Sequence, residues 1–168
     1  MKTLLQNARC IVTCDDSDSI LRGADVLIQD GVIAAIGRLG KAEADEVIDA
    51  SRMILYPGLI NTHHHLYQYF TRNLRHVQNL ELFDWLTALY DIWAHLNEDT
   101  VRLSSLSGMG ELMKYGCTTC FDHHYVFPNG AGDLRAAQFS AAEALGIRMV
   151  SSRGSMSLSR KDGGLPPD

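Results

Sequence analysis

Beyond Pro57-Gly58 the sequence alternates two periodicities, and that alternation restricts the fold more than any other feature of the chain. The short apolar run LINTH (59–63) is followed by two segments with helical spacing of apolar residues, LFDWLTALYDIWAHL and DTVRLSSLSGMGELMKYG, and then by the strand-like TTCFDHH. Another helical stretch, GDLRAAQFSAAEALG, closes on Gly146, a residue suited to the left-handed backbone that ends helices, and leads into the strand IRMVSSRG. Strands alternating with helices predict parallel strands and crossover connections, hence an α/β sheet or a (β/α) barrel. The tail SRKDGGLPPD has the Gly and Pro density of a loop. A complete eight-unit barrel takes about 250 residues, roughly 30 per unit, so 57–168 has room for about three units. The expectation is an incomplete barrel in the amino-terminal portion of a longer protein.

Residues 1–56 read differently. The runs ARCIVTC and ADVLIQ are strand-like, and Asp30-Gly31 is a hairpin turn signal leading into VIAAIG. KAEADE is a polar, helix-tolerant patch, and VIDASRMILY reads as a strand pair or one bent strand. With no helix to cover a sheet, 1–56 is expected to be an antiparallel β layer, one half of a sandwich whose other layer comes from elsewhere. The domain boundary therefore falls between 56 and 57.

Composition removes several classes of partner. A 168-residue chain with 46% hydrophobic and 21% charged residues is of ordinary globular type. Its formal charge of -5, with both signs interspersed, offers no basic stripe for a nucleic-acid backbone or an anionic membrane surface. The start, MKTLLQNARCIVTCDD, lacks the apolar core of a signal peptide, and no window reaches the roughly 20 apolar residues of a membrane span. A cytoplasmic setting is expected, with the four cysteines reduced and mostly acting as small buried hydrophobes.

Chemistry is concentrated in PGLINTHHHLYQ (57–68). His63 and His65 are two apart, so on an extended strand both leave one face while His64 leaves the other. The pair stands where a strand stops, the end at which α/β folds place their sites. Neutral imidazoles suit zinc, iron, nickel or copper. At the end of the second barrel strand, one of His123 and His124 should face the barrel mouth, although parity alone does not choose between them. Trp85 shares a helical stripe with Leu82, Leu86, Leu89 and Trp93, where packing competes with a substrate-stacking role. A rival reading from another class takes Cys117, Cys120 and His123 as a structural zinc-binding module; strand alternation puts the two thiols on opposite faces and opposes it. A redox C-x-x-C is disfavoured because the motif precedes a strand rather than opening a helix.

MILYPGLINTHHHLYQ, together with the preceding DVLIQDGVIAAIG, resembles the amidohydrolase superfamily of metal-dependent hydrolases, whose first barrel strand ends in Pro-Gly-x-x-x-x-His-x-His. NTHHHLYQ, LFDWLTALYDIWAHL, GCTTCFDHHYVFP and SRGSMSLSRKDGGLPPD look like the branch containing 8-oxoguanine deaminase and the hydroxyatrazine-type aminohydrolases. The resemblance implies a β-sandwich half followed by the first three or so units of a (β/α)8 TIM barrel. It implies one divalent metal, Zn or else Fe, with His63 and His65 as its first two ligands. Gln68 and Arg153 match positions that meet substrate in related deaminases. The implied reaction is hydrolytic deamination of an amino-substituted heterocycle, such as an 8-oxoguanine-like purine: water of lowered pKa attacks the ring carbon bearing the amine, and ammonia leaves. A triazine-type chlorohydrolase or alkylaminohydrolase is the alternative on the same scaffold. Complete members draw further histidines, an aspartate and a glutamate acid/base from later strands, so no catalytic residue is expected within these 168 residues. Two ligands fall short of the three that a catalytic zinc usually has, so weak metal binding and no measurable turnover are expected of the chain alone. The expected partner is a small heterocyclic substrate, and the full-length parent has room to be a homo-oligomer.

Overall fold

A computed structural model describes residues 1–40 and 43–167. The chain divides into two compact units, Met1–Pro57 and Gly58–Asp168.

The first unit is all β. Its strands are β1 (Lys2–Ala8), β2 (Cys10–Val12), β3 (Ile20–Leu21), β4 (Ala24–Gln29), β5 (Val32–Gly37), β6 (Glu46–Asp49) and β7 (Ile54–Leu55). They form one sheet in the order β5-β4-β1-β6 and another in the order β3-β2-β7. The expected hairpin is present: Gln29 pairs with Val32, and both turn residues have positive φ, 52° at Asp30 and 83° at Gly31. A two-residue turn of that hand matches the twist of the flanking strands, and Asp-Gly accepts it at little cost. The layer is not wholly antiparallel as expected, because β6 runs parallel to β1 and β7 parallel to β2. VIDASRMILY thus supplies two strands that join different sheets, separated by a turn in which the Met53 N–H donates to the Ala50 carbonyl at 2.8 Å. Of KAEADE, Lys41 and Ala42 lie outside the described residues; Glu46 already belongs to β6.

The core of this unit is made of small residues, Ala8, Ile11, Ala24, Val26 and Ala50. Asp25 is buried beside it, its carboxylate accepting from the backbone N–H of Asn7 at 2.7 Å and of Leu39 at 2.8 Å. The Asn7 bond above all holds the acid below its ordinary 3.8. One apolar face stays open: Leu5, Ile11, Val26, Ile28, Ile33 and Ile36 border a groove of about 210 Å³.

In the second unit β8 (Leu59–Asn61), β9 (Cys117–His124) and β10 (Arg148–Arg153) form a parallel sheet in the order β10-β9-β8. Three helices lie between them, α1 (Leu82–Trp93), α2 (Glu98–Lys114) and α3 (Leu134–Leu145). Their ends follow local chemistry. Asn97 and Thr100 bond reciprocally, side chain to backbone, in a capping box at the start of α2. Asp133 accepts from the Ala136 N–H at the start of α3, and Gly146 ends that helix at φ 72°. β8 is shorter than the sequence suggested, and the connection to α1 contains two 3-10 turns, Leu66–Thr71 and Arg75–Val77, that no periodicity announced.

Two buried clusters hold the unit together. Tyr67, Leu89, Tyr90, Trp93, Val101 and Leu134 are central to one; Leu66, Met109, Cys117, Cys120, Ala141 and Ile147 to the other. The fully buried Trp93 donates its indole N–H to Thr71 Oγ1 at 3.2 Å, and Thr71 donates to the Gln68 carbonyl at 2.9 Å, which pins the first 3-10 turn onto α1. On its other side the turn presses against α2 at Gly108, where a Cβ would stand 2.8 Å from Leu66 Cδ2 and 3.2 Å from Tyr69 Cδ2. Among the described residues no helix is long and apolar enough to cross a membrane.

Candidate active site

The three histidines follow the end of β8, in backbone that no longer belongs to the ladder. Their place is set by the neighbouring strand. The His123 N–H donates to the His64 carbonyl at 2.8 Å, His65 Nδ1 meets the His123 carbonyl at 2.7 Å, and the Leu66 N–H donates to Asp122 Oδ1 at 2.6 Å. A carbonyl only accepts, so His65 Nδ1 carries the proton and Nε2 keeps its lone pair for another partner. The rings of His63 and His65 stand edge to face, 5.0 Å between centroids. That arrangement fits a metal ion in its donor type and its assigned tautomer, a histidine ligand commonly giving its other ring N–H to a carbonyl. It supplies two donors: among the described residues, no three His, Cys, Asp or Glu are grouped to hold a metal ion.

A cleft of about 420 Å³ opens beside the pair, bordered by His63, His64, His65, Gln68 and Trp85. His64 was expected to face away; it borders the cleft because strand alternation lapses once β8 has ended, and burial lowers its imidazole below the usual 6.5. Gln68 donates both amide protons, to Tyr67 at 3.2 Å and Tyr125 at 3.0 Å, which leaves its carbonyl oxygen uncommitted. Burial raises the Tyr67 hydroxyl far above its ordinary value, so it stays protonated. Trp85 also meets Trp93 edge to face at 5.7 Å, so the packing stripe and the cleft share this residue.

The remaining expected residues separate. On β9 the side chains of Cys120, Asp122 and His124 are fully buried, while Phe121 and His123 are half-buried. His123 therefore takes the side near the cleft, its ring 5.8 Å from that of His65 and its Nδ1 paired with Ser152 Oγ. His124 does not line the cleft. It is enclosed between Tyr67 and Phe127 and donates from Nε2 to the Val126 carbonyl at 2.8 Å, and burial lowers its pKa. Arg153 also stands apart: its guanidinium lies 4.6 Å from the Phe127 ring centroid and reaches the Gly154 carbonyl. Cys117 and Cys120 belong to a hydrophobic cluster, burial pushing the Cys120 thiol up to about 12, so the three-ligand module with His123 is not assembled.

Arg72, Asn73 and Gln78 also border the cleft, with Arg72 stacked 3.8 Å from the centroid of Tyr69. They come from a stretch without strand or helix period, and only a glutamine at 68 gave a sequence signal nearby.

Comparison with known proteins bears on this geometry. The profile of the Amidohydrolase family matches residues 54–166. The chain belongs to the amidohydrolase family. It is 41% identical to 8-oxoguanine deaminase of Pseudomonas aeruginosa, over 99% of this chain and 37% of that protein. It is 37% identical to hydroxydechloroatrazine ethylaminohydrolase of Pseudomonas sp. strain ADP, again over 99% of this chain and 37% of the relative. A mutant atrazine chlorohydrolase of Arthrobacter aurescens TC1, solved with zinc and atraton, superposes with a TM-score of 0.89 at 32% identity, covering 99% of this chain and 38% of its own. The chain thus spans little more than a third of the length of these relatives.

Proposed function

We propose that this amidohydrolase chain is the amino-terminal part of a metal-dependent deaminase acting on a planar amino-substituted heterocycle of the 8-oxoguanine kind. The observation that carries the reading is the convergence of His63, His65, Gln68 and Trp85 on one cleft, in a chain 41% identical to an 8-oxoguanine deaminase. In the same reading β8, β9 and β10 with their helices are the opening units of a (β/α)8 barrel, and the first unit is part of a β-sandwich completed by other chain.

His63 and His65 would hold a divalent ion, zinc or iron, which when bound supplies Lewis acidity at the reacting carbon. The chain's own residues bind and orient. Trp85 offers a flat face for a ring. Gln68, its N–H groups engaged by two tyrosines, offers a carbonyl oxygen to a ring N–H of a lactam. Tyr67, buried and packed edge to face on Trp93, accepts from the Gln68 amide and so fixes its orientation. No carboxylate borders the cleft among the described residues, so an acid/base for the departing ammonia would come from outside this segment.

The likeness to a hydroxydechloroatrazine ethylaminohydrolase and an atrazine chlorohydrolase favours, as second reading, loss of an alkylamine or chloride from a triazine. Both are tested by translating the coding sequence past codon 168 and measuring ammonia, ethylamine and chloride released from a panel of oxopurines and triazines. The proposal predicts further histidines and an aspartate at later strand ends, and ammonia from the oxopurines. An extension without such histidines, or release of chloride alone, defeats it.

A further inference from the structure

The first 3-10 turn, Leu66–Thr71, starts immediately after His65 and carries Gln68, yet no side chain of its own segment caps its start. The cap comes from another strand. Asp122 on β9, fully buried, accepts from the Leu66 N–H at 2.6 Å through one oxygen and from Gln138 Nε2 at 2.7 Å through the other. Gln138, also fully buried on α3, is oriented in turn by Ser151 on β10, whose hydroxyl donates to Gln138 Oε1 at 3.0 Å. Four elements thus meet in one satisfied polar chain inside the unit. A buried carboxylate is costly unless hydrogen-bonded, so a network of this kind is far less tolerant of displacement than an apolar contact.

We propose that Asp122 is the positioning residue of the histidine cleft: its carboxylate, oriented by Gln138, caps the turn after His65 and so sets both the His65 ring and Gln68. The mechanism is geometric. Residues 64–66 are tied to 122–123 by three bonds: the His123 N–H donates to the His64 carbonyl, the His65 ring donates to the His123 carbonyl, and the Leu66 N–H donates to the Asp122 carboxylate. Without the Asp122 cap the only backbone tie left is the one at His64, the turn can swing about it, and the His65 Nδ1–H is then carried off its acceptor. The role rests on the reading of His63 and His65 as metal ligands only for its purpose; the ring placement itself is measurable without a metal.

The test follows the ring nitrogens of His65 by ¹⁵N NMR in the 168-residue chain at about pH 8, where an ordinary imidazole is neutral, and then titrates Zn²⁺ alone. The unsubstituted chain should show a single Nδ1–H tautomer for His65. Asp122→Ala should give a mixture of tautomers and weaken the Zn²⁺ response about 10- to 100-fold, the usual effect of removing a group that orients a ligand. The double variant Asp122→Asn with Gln138→Glu keeps an acceptor for Leu66 and a carboxylate in the network, and should restore both readings. Ala144→Gly, at an exposed position of the same helix, loosens α3 without touching the cap, and should change neither. An unaltered tautomer in folded Asp122→Ala, or the same mixture in Ala144→Gly, overturns the proposal. If Asp122→Ala does not fold, Gln138→Met, which removes the orienting partner, decides instead: a partial tautomer mixture supports the cap and an unchanged ring overturns it. Failure of the ligand reading looks different, as a fixed tautomer with no Zn²⁺ response in the unsubstituted chain.

Discussion

Replacing each of two glycines of α2 by alanine should move stability in opposite directions. A Gly→Ala change inside a helix ordinarily stabilises by about 1 kcal/mol, because glycine gives up more backbone freedom on folding. At Gly110 a Cβ would meet nothing within 4 Å, so Gly110→Ala should show that gain in full. At Gly108 the same Cβ would come 2.8 Å from Leu66 Cδ2 and 3.2 Å from Tyr69 Cδ2, where carbon atoms prefer about 3.5–4.0 Å. Leu66 is fully buried and pinned at its N–H by Asp122, so it has little room to retreat. Overpacking of this kind costs about 1–3 kcal/mol, which cancels or outweighs the helix gain and leaves Gly108→Ala about 0–2 kcal/mol less stable than the parent. Urea unfolding reads the difference directly. Thermal melts should place Gly110→Ala about 2–4 °C above the parent and Gly108→Ala at or below it. Equal stabilisation by both would show that the turn carrying Gln68 is not held against α2, and the account of how the cleft wall is supported would fail.

Other expected outcomes concern the remaining supports. Asp25→Asn should cost about 1.5–3 kcal/mol near neutrality by weakening charged hydrogen bonds to backbone N–H groups. Because its folded pKa lies below the unfolded value, that stabilisation is complete above about pH 4 and is lost as the pH falls through the folded value; a parent-minus-variant gap that stays constant on acidification refutes it. Asn97→Ala should remove the capping box of α2 at a cost of about 0.5–2 kcal/mol in urea melts, while Asn97→Asp should be near neutral. In zinc titrations of the 168-residue chain, His63→Ala and His65→Ala should each abolish a weak uptake that Cys117→Ala and Cys120→Ala leave intact; stoichiometric zinc surviving dialysis would contradict a two-ligand site.

What could be read in the sequence was what depends on neighbours in the chain. The Asp30-Gly31 hairpin, the cap at Gly146 and the three helices all declare themselves within a few residues, through φ preference or apolar spacing. Pairing across long separations did not. β6 and β7 have four and two residues, too few to show which strand they join, and both turned out parallel to partners more than 40 positions earlier, Thr3 with Glu46 and Cys10 with Ile54. The same limit applies in the cleft. His63 and His65 were singled out by spacing and border the cleft, but so does His64, which was expected to face away because alternation was extended past the strand's last residue, Asn61. Arg153 was matched to a substrate-contacting position by resemblance alone; its guanidinium lies on the face of Phe127, a contact that neither residue signals. Asp122 drew no reading beside two more conspicuous histidines, since a cap supplied across 56 positions leaves no local mark.

The ties from 122–123 to 64–66 also determine which changes of length this protein can absorb. From Thr119 to His124 alternate side chains of β9 point to opposite faces, so a single residue added or removed between Thr119 and Asp122 would still leave a plausible strand. It would carry the Asp122 carboxylate to the wrong face and shift the His123 carbonyl along the strand, releasing the His65 ring and the turn after it together. Loops such as 155–159 can lengthen without that penalty. For β9 the residue count between its two ends is itself a functional constraint, and a variant library that varies side chains freely there must hold the count fixed.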